Sequence, residues 1–118
     1  MRLPLLLALV VALAGCASPH HARLDTGDVA PEESKDLVFD RAGTYEIHCH
    51  LHPFMKQMVT VVEGDAGEPV HVHMHDGTAR EEYRYEPAAL EVTVGTSVSY
   101  HNHGRFVHTA TDSAGMAH

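Results

Sequence analysis

Residues 45–55 constrain this chain more than any other stretch, and they read YEIHCHLHPFM. Tyr45, Ile47 and Cys49 alternate with Thr44, Glu46 and His48, the period of a β-strand that delivers Cys49 at its end. Pro53 has no amide to give a sheet ladder, so the strand stops and a tight loop follows. Met58 to Val62 is apolar and largely β-branched and returns as a second strand. Cys49, His52 and Met55 therefore share one short turn between two strands. A thiolate, an imidazole and a weak thioether are donors of a His2Cys copper plane with a distant axial sulfur, and one more imidazole would complete the plane. The bland alternative is a buried free cysteine beside surface histidines.

The stretch resembles the C-terminal copper loop of the cupredoxins, in the short Cys-x2-His-x2-Met form of the amicyanin and pseudoazurin kind. It departs from the family pattern at Gln57, where a glycine usually follows Met-Lys. The run LDTGDVAPEES, followed by LVFDRAGTYEIHC, resembles the later half of a cupredoxin up to this loop. The run YEPAALEVTVGTSVSYHNHGRFVHTATDSAG resembles the first half. By that resemblance His108 is the first copper ligand, and Asn102 is the residue whose hydrogen bonds tie the two ligand loops together. The implied centre is Cys49, His52 and His108 in a plane with Met55 as the axial ligand. The implied cofactor is copper, cycling between Cu(I) and Cu(II).

A length of 118 residues suits one domain. Sixteen acidic residues against eight basic ones argue against nucleic acid as a partner. Twelve histidines point to metal handling. The two cysteines, Cys16 and Cys49, allow at most one disulfide, and they read as having separate tasks.

Arg2 followed by the apolar run Leu3 to Ala14 has the form of a secretory signal peptide, too short to span a bilayer as a helix. Leu13-Ala14-Gly15-Cys16 resembles a bacterial lipobox, which implies a signal peptide over 1–15, lipidation of Cys16 and an extracytoplasmic protein held at a membrane surface. Residues 16–23 read as a tether, in which His20 and His21 are solvated.

Residues 24–118 read as an all-β domain, because helical periodicity is absent and short alternating runs recur. Leu24 to Ser34 is a loop. Lys35 to Asp40 is a half-buried strand through Leu37 and Phe39, and Arg41 to Gly43 is a turn. Glu63 to Pro69, with two glycines and a proline, is a linker. Val70 to His75 alternates strictly, placing His71, His73 and His75 on one face, either a polar outer face or a second metal site. Extended pieces follow at 82–87 and 90–94, then a turn at Gly95. A strand through Val98 and Tyr100 and a last extended stretch through Thr109 and Thr111 complete the chain. His101, His103 and His118 default to the surface, with His103 near enough to the proposed centre to modulate it.

The order of the halves is unusual. In the cupredoxins the His ligand comes first and the Cys-His-Met loop last, whereas here residues 24–63 carry the later half and 70–118 the earlier one. The expected fold is a cupredoxin-like Greek-key sandwich in circularly permuted order, with His118 near Leu24. The linker can span at most about 25 Å, enough to join neighbouring strand ends. The alternative is a swapped dimer in which His108 completes a neighbour's site.

The expected function is electron transfer by a blue copper protein. His52 would reach the surface through an apolar patch of Leu51, Pro53 and Phe54, where a redox partner docks, and Lys56 beside it reads as a solvated surface lysine. The alternative is a copper-binding, delivery or storage module. A His-Cys-His sequence at 48–50 resembles the bridge of multicopper oxidases, but those need further His pairs in a longer chain. With four protein donors no position is left for a substrate, which argues against an enzyme.

Overall fold

A computed structural model describes residues 24–116. The signal-peptide, tether and Cys16 expectations, and the placement of His118, lie outside the described residues.

Eight strands form two four-stranded sheets. They are β1 (Ser34–Val38), β2 (Gly43–His48), β3 (Lys56–Val62), β4 (Val70–His75), β5 (Arg84–Glu86), β6 (Ala89–Thr93), β7 (Ser97–Asn102) and β8 (Thr111–Asp112). One sheet has the order β1-β7-β4-β5 and the other β6-β3-β2-β8. The pairs β4 with β7 and β3 with β6 are parallel, and the remaining pairs are antiparallel. Each sheet draws strands from both 24–63 and 70–118. Apart from a 3-10 turn at Arg80–Glu82 and a single helical turn at Ser113–Met116, the described chain is β-strand and loop.

The alternation read from the sequence decides which side chains meet. Leu37, Val72, Met74, Tyr85, Val98 and Tyr100 from one sheet join Ile47, Val59, Val61 and Val92 from the other in one buried cluster. Two sheets closing on a common apolar layer is the arrangement of a β-sandwich. Phe39, just past the end of β1, is also fully buried, as its alternation with Leu37 predicts.

β3 begins two residues earlier than its apolar run suggests. Pairing with β2 sets His48 opposite Lys56 and Ile47 opposite Gln57, so Gln57, Val59 and Val61 face inward while Met58 is 46% exposed. A buried amide needs partners for both ends. Gln57 has them: its Nε2 donates to Pro87 O (2.9 Å) and its Oε1 accepts from the Tyr100 hydroxyl (2.8 Å). The residue that departs from the family pattern thus links the two sheets. Burial pushes the Tyr100 phenol far above its usual pKa, so it stays a donor.

The segment 24–34 is mainly loop, as expected, but it is pinned by two isolated bridges, Asp25 to Thr111 and Val29 to His108. The segment 63–69 is an exposed connection from β3 to β4, held by Gly67 N donating to Thr96 Oγ1 (2.9 Å). At Gly95 the turn between β6 and β7 takes φ of 86°, a conformation glycine reaches without a Cβ clash.

Candidate metal centre

The Cys49–Met55 loop is two consecutive four-residue turns. His52 N donates to Cys49 O (3.2 Å), Met55 N donates to His52 O (2.9 Å), and Cys49 N donates across to Met55 O (3.1 Å). The repeated spacing of three is what such turns require, and Pro53 occupies the second position of the second turn, where its fixed φ fits. Each turn returns the chain to the same side, so Cys49, His52 and Met55 stay together. Cys49 and Met55 are fully buried, and His52 is half-buried.

The fourth residue comes from 59 positions away. His108 is fully buried, and its backbone pairs with Val29 in both directions. Its Nδ1 lies 3.8 Å from Cys49 Sγ, and His52 Nδ1 lies 3.6 Å from the same sulfur. The three donor atoms all fall within 4.8 Å of one another. A metal bonded to sulfur at about 2.3 Å and nitrogen at about 2.0–2.1 Å, with angles near 110–120°, sets its sulfur and nitrogen about 3.5–3.8 Å apart. Cys49, His52 and His108 could therefore hold a metal ion with little movement.

The surroundings give the sulfur a backbone donor and fix one imidazole. Thr109 N donates to Cys49 Sγ (3.3 Å), and His50 N donates to Thr109 Oγ1 (2.8 Å). Thr109 O in turn accepts from the buried Tyr85 hydroxyl (2.6 Å). Thr109 is thus the residue that ties the two ligand segments together. This corrects the expectation for Asn102, whose Nδ2 donates to Val29 O and Phe106 O and whose Oδ1 accepts from Gly104 N. Asn102 shapes the turn ahead of His108 and makes none of these bonds to the cysteine loop.

Behind His108 sits Asp76, which the sequence reading missed. His108 Nε2 lies 2.7 Å from Asp76 Oδ2, and both side chains are essentially inaccessible. A carboxylate only accepts, so the proton of His108 belongs on Nε2 and the Nδ1 lone pair faces Cys49. Burial lowers the His108 pKa, and the opposing pull of Asp76 does not restore it. Burial pushes Asp76 up, but donation from Phe106 N, Arg105 N and His108 outweighs it, and the net direction is down. Gly104 makes room for this carboxylate, since a Cβ there would overlap Asp76 Oδ2. Nothing local in the sequence marks Asp76 as a partner of His108.

His52 is the half-exposed member. Its ring packs against Tyr83 (4.9 Å between centroids), His108 (5.0 Å), Phe54 (6.2 Å) and Phe106 (6.4 Å). Leu51, Pro53 and Phe54 are exposed around it, and Phe106, also exposed, extends the patch from the His108 segment. The Arg80 guanidinium lies over the Phe54 ring at 4.6 Å. Lys56 forms an exposed pair with Glu46 (3.7 Å). His48 lies on the opposite strand face from Cys49, as its alternation predicts, with Nδ1 2.8 Å from Ser113 Oγ. His103 lies among other surface histidines, in ring contact with His73, His75 and His101.

A scan against protein-family models, a search of curated proteins and a search of solved structures each found no match. The donor set itself is what speaks to chemistry. Sulfur and two imidazole nitrogens select borderline and soft metals over Mg2+ or Ca2+, which take oxygen. Met55, in the same loop, is fully buried.

Proposed function

We propose that the chain is an electron carrier of the cupredoxin kind, with a type 1 copper site and its two halves in permuted order. One observation carries the reading: a buried thiol and two imidazole nitrogens, 3.6 and 3.8 Å from it, converge from segments far apart in the chain. Cys49, His52 and His108 would hold the metal, with the Met55 thioether at the far end of the same loop as a weaker fourth donor. Bound copper would supply a one-electron couple between Cu(I) and Cu(II). The protein's part is to keep the donors fixed. Asp76 orients His108, Thr109 donates to the Cys49 sulfur, and the two turns of the loop hold His52 and Met55. The apolar rim of Leu51, Pro53, Phe54 and Phe106 around His52 suits brief contact with a redox partner, for which small interfaces are usual.

The permuted order is supported by strands from both halves sharing each sheet and by a short exposed connection at 63–69. The further proposals are that residues 1–15 are removed, that Cys16 carries lipid, and that the protein works outside the cytoplasm at a membrane surface. A Cys16→Ala variant then moves to the soluble fraction, whereas a mature mass showing unmodified Cys16 rejects the anchor.

The deciding experiment is the visible and EPR spectrum of the copper-loaded protein with its copper stoichiometry. Intense blue colour that vanishes on reduction supports the carrier. Copper bound without that colour favours a delivery or storage module instead. Blue copper confined to dimers points to halves exchanged between chains, and no copper binding at all rejects the reading.

A further inference from the structure

Four histidines meet on the outer face of the β1-β7-β4-β5 sheet, on the side turned away from the core. His73 and His75 alternate with the buried Val72 and Met74 on β4. The parallel register of β4 with β7 sets His73 opposite His101, and His103 N donating to Met74 O (2.9 Å) brings His103 alongside. The His103 ring is the hub. Its centroid lies 4.4 Å from that of His101, 4.7 Å from that of His73 and 5.6 Å from that of His75, with which it is stacked at 15°.

We propose that His73, His75 and His103, with His101 packed against them, form a second metal site for a divalent cation such as Cu(II) or Zn(II), separate from the thiolate centre. Histidines two apart on a strand share a face at about 6.6–7 Å, a span that two imidazoles close onto one ion. His73 Nδ1 and His103 Nε2 are 2.7 Å apart and share a proton. Two nitrogens bonded to one ion at about 2.0–2.1 Å lie about 2.9–3.4 Å apart. The three histidines do not yet bring one ring nitrogen each within 4.8 Å of one another, so the His75 ring must swing in. An ion between His73 and His103 needs the shared proton to move to the other nitrogen of its ring, the pair to open by about 0.2–0.7 Å and the rings to turn. Both side chains are exposed and free to do so.

The outer members each have a hydrogen-bonding side chain behind them, as metal-bound imidazoles do. His75 Nε2 lies 2.9 Å from Glu86 Oε1, which leaves Nδ1 as the lone-pair nitrogen. His101 Nδ1 lies 2.7 Å from Ser34 Oγ. Desolvation, then repulsion from His101, His73 and His75, lowers the His103 pKa. A ring kept neutral is in the form that binds metal. With no sulfur in the set, the site suits divalent ions over Cu(I). A merely polar strand face would scatter its histidines, whereas these come from two strands and the residue after one of them, and touch.

The test uses the full chain and Cu(II) and Zn(II) as probes. Wild type should take up a second equivalent of Cu(II) with a nitrogen-ligand EPR signal and no thiolate absorption. His73→Gln with His103→Gln should weaken that second equivalent by on the order of 100-fold or more, while leaving any thiolate band intact. Equal uptake by variant and wild type overturns the proposal and assigns the extra metal elsewhere, for example to His20 and His21. Should the variant not fold, Zn(II) titration of wild type followed by imidazole nitrogen NMR decides. Early shifts at His73, His75 and His103 support the site, and shifts confined to His52 and His108 overturn it. Absence of a blue band would reject the electron-carrier reading of the first centre without touching this result.

Discussion

The Cys49–Met55 loop and the outer face of β4 and β7 both gather histidines, and they do so by opposite means. At the loop, its own His52 and the distant His108 are set against one buried sulfur, and each has a fixed backbone or carboxylate partner. On the sheet, His73, His75, His101 and His103 touch one another at the surface, and the rings turn with little resistance. The first arrangement is pre-organised, so ligand positions are paid for by folding; the second must be organised by the ion. The contrast fits the proposal that the first site passes electrons and the second only binds metal.

The largest effect expected from breaking that contrast is at the sulfur. Cys49→Ser should abolish the blue band altogether, because a hydroxyl lacks the easily oxidised soft donor. It should leave the sheet histidines and their metal uptake unchanged. His108→Ala should open a position to water and alter the spectrum. Met55→Leu should keep the colour and raise the potential, since in the proposed site the thioether would favour Cu(II). Optical and EPR spectra with redox titration check all three, and a Cys49→Ser protein that stays blue would falsify the ligand assignment.

The loop was legible from sequence because its geometry is local. Turns of four residues bring donors three apart together, and Pro53 stops the strand where a ladder bond is impossible. Strand alternation was legible for the same reason, with Leu37, Ile47 and Val98 buried where period two places them. What remained hidden depends on long-range pairing. Gln57 reads as an ordinary polar residue until Tyr100, 43 positions away, provides its partner. Asp76 needs His108, 32 positions away. Thr109 took the linking role expected of Asn102 because it follows His108 directly and faces Cys49. His103 joined the sheet histidines only through the parallel pairing of β4 with β7, which no local pattern reveals.

The support behind His108 gives the next largest effect. Asp76→Asn removes a charged acceptor of four donor contacts from three groups. Lost hydrogen bonds to a buried charge are worth about 1.5–3 kcal/mol each in principle, so a fall of several degrees in the apoprotein melting temperature is expected. Gly104→Ala drives a methyl into the same carboxylate and should destabilise by about 1–3 kcal/mol. If both variants melt like wild type, Asp76 does not hold this segment. Tyr100→Phe strips the buried Gln57 Oε1 of its donor and should destabilise by about 1–3 kcal/mol in a denaturant titration, without altering either site's metal uptake.

The smallest effect is expected at His71, and it sharpens the comparison most finely. The sequence places His71 with His73 and His75 on one strand face, which made all three candidates for a second site. In the structure the β4–β7 register sets His71 opposite Ser99, whereas His73 faces His101. Among the described residues, the ring contacts of this face run through His103 to His73, His75 and His101, and His71 enters none of them. His71→Gln should therefore leave the second equivalent of Cu(II) or Zn(II) and the blue band as in wild type. As an exposed substitution outside any network it should shift stability by no more than about 0.5 kcal/mol. Metal stoichiometry and a melting curve of the single variant check this directly. Loss of the second equivalent on His71→Gln would move the site one step along the strand and away from His103.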